Sequence, residues 1–313
     1  MRHADALLVW VHAVKPAPFS YHAASSVRAA TAVLAKAGDD AAVLAGGQSL
    51  LIEMRYRRVR PALVLDINRV AELGGLRAEG PWLHVGALAR HRELERAAAA
   101  GAVGTDPLGT LLKLAATHIA HPPIRTRGTF AGSIAWAHPA AEWCALAVAL
   151  SADIVLASAT GTRSVPADQW FTGRHRTARK PDELVTGVRL PLLGAGTGAG
   201  FAEHRRTHGS FALAAALATV QLSGGRVTWA RIGLANAAEV PLRARQAEQV
   251  LAGQPLSPRL LEEAAEAAAA AADPAAEPHC SAGYRRHVLR VLTRRSLMQA
   301  AAGAQAAAAG AAA

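Results

Sequence analysis

The stretch Ala42-Val-Leu-Ala-Gly-Gly-Gln-Ser-Leu50 joins a short apolar run to a pair of glycines and then to a helical pattern. Residues 42–45 predict a buried strand, the glycine pair a tight loop, and residues 49–57 a helix. A second apolar run at 62–67, rich in leucine and β-branched residues, predicts another buried strand. Strand, glycine loop, helix and strand in this order predict a βαβ unit with parallel strands.

The middle of the chain changes to short strand patterns and to helices predicted over 90–100 and 107–120. The second helix is expected to end at His121-Pro-Pro123, because proline cannot donate a backbone hydrogen bond. Farther on, glycine alternates with other small residues over 194–200, a composition that predicts a linker or loose turn. This segment divides the chain.

Beyond the linker, strands are predicted over 200–204, 211–222 and 226–235, and helices over 242–252, 258–272 and 282–298. The last residues, 300–313, are mostly alanine, and we expect them to be frayed or disordered because the sequence offers them nothing to pack against. At the other end, residues 1–14 are predicted to be an N-terminal extension outside the fold.

Composition excludes several classes of protein. The 313 residues include 34 Lys+Arg and 23 Asp+Glu, a formal charge of +11, and two cysteines, Cys144 and Cys280. Two cysteines cannot form a disulfide framework, nor supply the roughly four thiolates of an iron–sulfur cluster. A reducing, cytoplasmic location is therefore expected. No apolar run reaches the roughly 18–20 residues of a membrane span, so no transmembrane segment is predicted.

The densest positive run is Arg55-Tyr-Arg-Arg-Val-Arg60. Nucleic-acid binders usually interleave aromatic residues with such a patch, and this run contains a single one, Tyr56. A solvated helix end is the favoured interpretation, and no nucleic-acid partner is expected. An acidic protein surface or an anionic ligand remains compatible with the charge.

Two glycine-containing loops, Ala45-Gly-Gly-Gln-Ser-Leu50 and Thr129-Phe-Ala-Gly-Ser133, stand about 85 residues apart. Glycine lets the backbone approach a bulky anion and adopt positive φ, so that consecutive N–H groups can converge on phosphate oxygens. Ser49 and Ser133 add hydroxyl donors. Neither loop has the Walker or Rossmann spacing. A lone Gly-Gly loop is usually a simple turn, but the ordered pair is more specific.

Other polar residues carry weaker signals. His118 and His121 stand three apart at a helix end, but no further ligand lies at a telling spacing, so no metal site is predicted. Cys144 lies within an alanine- and leucine-rich helix and is interpreted as a small buried apolar residue. No Ser/His/Asp arrangement is recognisable, and no catalytic side chain is predicted in this chain.

Together with the first loop, a series of further motifs occurs in a specific order. They are Val85-Gly-Ala87, Ile124-Arg-Thr-Arg-Gly-Thr129, Pro139-Ala-Ala-Glu142, Phe211-Ala-Leu213, Pro241-Leu-Arg-Ala244 and Ser281-Ala-Gly-Tyr-Arg-Arg286. This order resembles the FAD-binding (medium) subunit of molybdenum-containing hydroxylases, the carbon monoxide dehydrogenase and xanthine dehydrogenase relatives. The resemblance extends over about residues 15–299.

The resemblance implies an α+β fold: a two-subdomain FAD-binding fold of the PCMH/vanillyl-alcohol-oxidase type, followed by a C-terminal domain of antiparallel sheet plus helices. On this basis FAD-binding subdomain 1 spans 15–68, subdomain 2 spans 69–193, the C-terminal domain spans 200–299, and 300–313 is an Ala-rich tail. The cofactor would be FAD, with its pyrophosphate between the two loops. The implied cofactor-binding residues are Ala45, Gly46, Gly47, Gln48, Ser49, Leu50, Ile119, Thr129, Phe130, Ala131, Gly132, Ser133 and Glu142.

The resemblance also implies partners and a role in electron transfer. Electrons would come from an iron–sulfur small subunit, fed by a molybdopterin large subunit that oxidises the substrate, within a heterotrimer whose dimerisation is left open. FAD would then pass them to an acceptor. Two alternatives stay open: a stand-alone FAD-dependent oxidoreductase, and a scaffolding subunit that has lost FAD. Neither the substrate of the complex nor the acceptor, whether NAD, oxygen or a quinone, follows from this sequence.

Three positions depart from the usual family pattern. Ala131 stands where the second loop usually has its first glycine, His138 replaces the usual aspartate before Pro139, and Ser210 replaces an aspartate after Gly209. If position 131 required φ > 0, alanine there would cost on the order of 1 kcal/mol. Ala131 and His138 are the features that keep the FAD-less alternative open.

Overall fold

The computed structural model of the chain describes residues 15–101, 106–194 and 196–310, so the predicted extension at 1–14 lies outside the described residues. Its first layer is a sheet of three parallel strands: β1 (Ser20–Ala23), β2 (Ala41–Leu44) and β3 (Leu63–Asp66), in the order β1-β3-β2. Helix α1 (Val27–Ala37) joins β1 to β2, and α2 (Leu50–Arg55) joins β2 to β3. The predicted parallel βαβ unit is confirmed.

Local chemistry explains the bounds of α1. The Ser26 hydroxyl accepts a hydrogen bond from the Ala29 N–H (3.1 Å), which caps the first turn. Gly38 ends the helix with a φ of +53°, a conformation that glycine adopts at little cost. Ala30 and Leu34 are buried on one face, as their spacing predicts.

A second sheet has five antiparallel strands. The helices pack around it and between the sheets. The strands of this sheet are β4 (Leu76–Glu79), β5 (Trp82–Gly86), β6 (Asp153–Ser158), β7 (Gly161–Pro166) and β10 (Leu184–Pro191). Their order across the sheet is β4-β5-β10-β6-β7. Between β7 and β10 the chain forms a separate two-stranded ribbon of β8 (Phe171–Gly173) and β9 (Arg176–Thr177). The helices are α3 (His91–Ala99), α4 (Asp106–His118), α5 (Pro122–Arg125), α6 (Phe130–Trp136), α7 (Glu142–Ala149) and α8 (Ala167–Trp170).

The C-terminal region is an antiparallel sheet of β11 (Thr197–His204), β12 (Ala214–Ser223), β13 (Arg226–Ala235) and β14 (Leu242–Arg243). Helices α9 (Arg245–Leu251), α10 (Pro258–Ala270) and α11 (Ala282–Gly310) complete it. None of the helices in the described ranges is long and apolar enough to cross a membrane.

Helix α7 connects the two halves of the molecule. Every residue of this helix is buried, including Cys144, which agrees with its interpretation as a small apolar residue. Gly233 of β13 lies directly against it, since a Cβ at this glycine would be 2.5 Å from the Ala145 carbonyl oxygen. The missing side chain therefore lets the C-terminal sheet pack against a helix of the N-terminal region.

Two expectations about the C-terminal region are wrong. The predicted linker 194–200 already contains the start of β11, where Cβ atoms on Gly198 and Gly200 would overlap the backbone carbonyls of Ala300 and Ser296. The tail is not frayed from residue 300 onward, because α11 continues to Gly310 and buries Ala300 and Ala304 against this strand. Alternating glycines thus mark close packing of strand and helix. Residues 311–313 lie outside the described part of the chain.

Candidate functional site

A cleft of about 310 Å³ opens between the parallel sheet and the antiparallel sheet. The loop after β2 forms one wall, the start of α6 forms a second, and the start of β10 forms a third. It is lined by Ala41, Ala42, Val43, Ala45, Gly46, Gly47, Gln48, Ser49, Leu50, Ile67, Ala87, His91, Gly128, Thr129, Ala131, Gly132, Ser133, Ala135, Trp136, Arg179, Glu183, Leu184 and Val185. Its size is at the lower end of the roughly 300–1,000 Å³ typical of ligand pockets.

The two predicted loops meet in this cleft. A Cβ on Gly46 would be 2.5 Å from the Arg127 carbonyl oxygen and 2.7 Å from the Gly128 Cα. Gly128 is equally constrained, because its Cβ would be 2.7 Å from Nε2 of His91. Glycine at both positions therefore allows the first loop to contact the segment that leads into the second.

The first loop presents its backbone to the cleft. Gly47 has a φ of +74°, which favours glycine. Within the described residues, the N–H groups of Gly47, Gln48 and Ser49 donate to no protein acceptor, while the Gln48 side chain folds back to the Gly46 carbonyl (3.3 Å). Successive free N–H groups form a concave surface suited to phosphate oxygens.

The second loop is the first turn of α6. The Thr129 hydroxyl accepts from the Gly132 N–H (2.9 Å) and so caps this helix. Ala131 follows inside the first turn and is not among the residues with positive φ. The proposed strain at Ala131 is therefore absent, because a helical φ suits alanine as well as or better than glycine.

Behind the two loops, His91 is buried and neutral. The Trp143 Nε1–H donates to its Nδ1 (2.9 Å), which leaves the ring proton on Nε2, beside Gly128. Burial, assisted by the positive charges of Arg125 and Arg90, lowers the pKa of His91 to about 3. This side chain therefore brings a neutral N–H donor to the wall of the cleft.

The third wall comes from residues that had no local signal in the sequence. Arg179 donates from Nη1 to the carbonyl of Glu183 (2.8 Å), and the Glu183 carboxylate accepts from Arg163 (2.5 and 2.8 Å). Burial lowers the pKa of Arg179, while the Arg163 hydrogen bond lowers that of Glu183. Both side chains stay charged. The hydrogen bonds of Arg179 and Arg163 to Glu183 hold the start of β10 against the glycine loops.

Three of the predicted cofactor-binding residues do not line the cleft. Phe130 is fully buried in the core beneath α6. Ile119 is also buried, and its carbonyl accepts from Arg125 (2.9 Å). Glu142 points away into the interface with the C-terminal domain. The other predicted residues, Ala45–Leu50, Thr129 and Ala131–Ser133, line the cleft together.

Glu142 contacts Glu203 of β11 in that interface. The Glu203 side chain is fully buried, and neither of its oxygens makes a hydrogen bond of good geometry with a described group. Arg205 lies 3.5 Å from it and donates mainly to the His118 carbonyl (2.6 Å). Burial raises the pKa of both carboxyls, and the charge of Glu142 raises that of Glu203 further. The pair therefore holds a proton at neutral pH.

His138, one of the departures from the family pattern, performs a role available to aspartate. Its Nδ1 accepts from the Ala140 N–H (3.1 Å), as a carboxylate oxygen would in an Asx turn. The ring stacks on Phe211, with centroids 4.1 Å apart and planes at 6°. Burial, with the nearby charges of His175 and Arg174, lowers its pKa to about 4, so this histidine adds no charge near neutral pH.

A glycine loop with free N–H groups, packed against the first turn of α6 in one cleft, defines a protein that binds a phosphate-bearing cofactor. Sequence comparison identifies which one. Residues 17–193 match the family model "FAD binding domain in molybdopterin dehydrogenase", and residues 199–300 match "CO dehydrogenase flavoprotein C-terminal domain". The chain belongs to the FAD-binding flavoprotein subunits of the molybdenum hydroxylases, and its cofactor is FAD, as the motifs indicated.

Individual relatives are similar over nearly their full length. The alpha subunit of the 6-hydroxypseudooxynicotine dehydrogenase complex of Paenarthrobacter nicotinovorans is 38% identical over 92% of this chain and 96% of its own. The carbon monoxide dehydrogenase medium chain of Hydrogenophaga pseudoflava is 36% identical over 90% of this chain and 96% of its own length. A solved carbon monoxide dehydrogenase structure from that organism has a TM-score of 0.87 at 38% identity, covering 92% of this chain and 98% of that one.

The cleft fits the phosphate-bearing part of FAD. The free N–H groups of the first loop need an acceptor, and the hydroxyls of Ser49 and Ser133 line the same space. Among the lining residues that the structure describes, Glu183 carries the one carboxylate, which Arg163 neutralises so that it does not repel phosphate. Among the described residues, no group of three or more His, Cys, Asp or Glu side chains could hold a metal ion.

Proposed function

We propose that this subunit receives electrons from an iron–sulfur small subunit, which a molybdopterin large subunit supplies, and passes them through FAD to a separate acceptor. The observation that supports this proposal is the cleft, whose described lining would provide cofactor contacts but contains no acid–base pair for acting on a substrate. The histidine among these described lining residues, His91, is held neutral by burial. FAD supplies the redox chemistry when bound, while the protein binds and orients it.

The residues of the chain have distinct roles in this proposal. Gly46, Gly47, Gln48 and Ser49 would hold the pyrophosphate from one side. Thr129, Ala131, Gly132 and Ser133 would hold it from the other. Gly46 and Gly128 keep the two loops close enough to act together. His91 would present its Nε2–H at the back of the loops. Arg179 holds the start of β10, which forms the opposite wall.

The cysteine content supports an external source of electrons. Cys144 and Cys280 are the two cysteines of the chain, and both are buried. Burial raises the pKa of the Cys144 thiol well above its usual range, and its Sγ donates to the Ser133 carbonyl (3.3 Å). Neither cysteine could help ligate a cluster without local unfolding, so the iron–sulfur centre would belong to a partner chain.

The test compares the isolated chain with the reconstituted complex. The purified chain should bind FAD, and dithionite should bleach the flavin absorbance. Purines, aldehydes and carbon monoxide should leave that absorbance unchanged until the iron–sulfur and molybdopterin subunits are added. Substrate-dependent bleaching in the isolated chain would instead identify a stand-alone oxidoreductase. Failure to bind FAD at micromolar concentration would identify the scaffolding alternative.

A further inference from the structure

His91 brings a hydrogen-bond donor without a protein acceptor to the cofactor cleft. The side chain is 4% exposed, and it lines the cleft beside Gly128. Because Nδ1 accepts from Trp143, the proton of the neutral ring is on Nε2, and no described residue accepts a hydrogen bond from this Nε2–H. Leaving a buried donor unpaired costs free energy. The Nε2–H therefore indicates an acceptor that belongs in the cleft.

Trp143 determines which nitrogen of His91 carries the proton. It is fully buried in α7, where its ring packs on Phe130 with the centroids 4.9 Å apart. An indole N–H can only donate, so it pairs only with a ring nitrogen that has a free lone pair. With the proton on Nδ1 instead, Nε2 would present a lone pair to the cleft and would repel a ligand oxygen. Phe130, which does not line the cleft, thus supports this donor from behind.

The surroundings of the Nε2–H favour a negatively charged acceptor. Burial and the positive charges of Arg125 and Arg90 lower the pKa of His91 to about 3, so both arginines act at its ring. A Cβ on Gly128 would be 2.7 Å from Nε2, and one on Gly46 would be 2.7 Å from the Gly128 Cα. The donor therefore lies where the two loops meet, beside a first loop whose own N–H groups lack protein acceptors. Several donors and two cations around one point suit an anionic oxygen.

We propose that Trp143 is a positioning residue for the cofactor: it holds His91 in the tautomer whose Nε2–H donates to an oxygen of the FAD diphosphate. This inference rests on the placement of the diphosphate between the two loops proposed above, and it adds a donor that belongs to neither loop. Because burial keeps the ring neutral, His91 remains a donor throughout the range around neutral pH.

The first test removes the donor and measures the affinity of the purified chain, freed of cofactor, for FAD and for ADP. ADP carries a diphosphate but no flavin. His91→Met deletes the N–H, whereas His91→Gln, its matched control, has a similar unbranched side chain that ends in an amide N–H. We expect His91→Met to bind both ligands about tenfold more weakly, the size expected for one hydrogen bond to a charged group, and His91→Gln to lose less than threefold.

The second test addresses Trp143 and reads the tautomer directly. In the ¹⁵N NMR spectrum of histidine-labelled protein, the His91 signals are identified by their absence from His91→Gln. Trp143→Phe should shift these signals toward the Nδ1–H tautomer and weaken FAD binding about fivefold. Trp170→Phe is the control, because Trp170 is equally buried but donates from Nε1 to the Ile134 carbonyl (3.0 Å). It should change neither the tautomer nor the affinity.

A double variant separates positioning from a general loss of packing. An amide has no tautomers, so Trp143→Phe in the His91→Gln background should leave FAD affinity equal to that of His91→Gln alone. Equal FAD affinities of His91→Met and His91→Gln would overturn the proposal, as would an unchanged tautomer in Trp143→Phe. A loss in His91→Met confined to FAD, with ADP binding unchanged, would refute the assignment to the diphosphate. If Gly46→Ala also binds FAD and ADP normally, the proposed placement of the diphosphate itself fails.

Discussion

Glu142 and Glu203 lie in contact in the interior, one from the FAD-binding region and the other from the C-terminal sheet. Both are buried, and Arg205 at 3.5 Å from Glu203 is the nearest positive charge. Two buried carboxylates in contact cannot both ionise without a large penalty, so the pair keeps a proton at neutral pH. The contact between the two domains therefore depends on pH.

Replacing Glu203 with glutamine tests this contact. A carboxyl whose pKa rises on folding stabilises the protein fully below its unfolded value, about 4.5, and loses that contribution as pH rises. The free energy of unfolding of the unmodified chain should fall between pH 6.5 and 8, where His91 and His138 stay neutral. Glu203→Gln should reduce this fall by about 1 kcal/mol or more.

Urea denaturation at several pH values provides the measurement. The exposed substitution Glu263→Gln is the control and should leave the pH dependence unchanged. An unchanged slope in Glu203→Gln would show that Glu203 does not hold a proton at neutral pH in the folded protein.

Gly46→Ala should separate the two loops. Its methyl group would be 2.5 Å from the Arg127 carbonyl, and backbone on both sides leaves little room to move. We expect FAD affinity to fall at least tenfold in a fluorescence titration. The stabilisation by saturating FAD, roughly 2.7 kcal/mol at 100 times the dissociation constant, should shrink accordingly. Gly283→Ala, where a Cβ meets nothing within 4 Å, should bind FAD normally.

The Ala131→Gly variant tests whether the backbone at position 131, where the family usually has glycine, is helical or left-handed. Because Ala131 lies in the first turn of α6 without positive φ, glycine should lower the free energy of unfolding by up to about 1 kcal/mol. FAD affinity should stay within about twofold. A stabilised protein, measured by thermal unfolding, would show that position 131 requires the left-handed region.

Two truncations test the packing of α11. Removing 300–313 takes away Ala300 and Ala304, which pack against Gly198 of β11, and should lower the melting temperature by more than about 5 °C. Removing only 306–313 should leave it nearly unchanged, since residues 306–309 are exposed. Equal melting temperatures for the two truncations would mean that the alanine helix adds no stability.

Short-range patterns in the sequence determined the βαβ unit, the two glycine loops and the order of motifs that defines the family. Apolar runs and glycine pairs are local signals, because each is a pattern of neighbouring residues that sets the backbone conformation of its own segment. The loops around Gly46 and Gly132 were therefore recognisable as candidate phosphate-binding loops, and the order of the motifs carried the resemblance that implied one FAD site.

Only the tertiary structure determined what each loop packs against. Arg179 closes the cleft from about 130 residues beyond Gly46, and Glu203 meets Glu142 across two domains. The tail after residue 299 folds because glycines in β11, about 100 positions earlier, leave space for its backbone. Such contacts depend on the shape and burial of segments that are distant in the chain, so the residue pattern within either segment does not predict them.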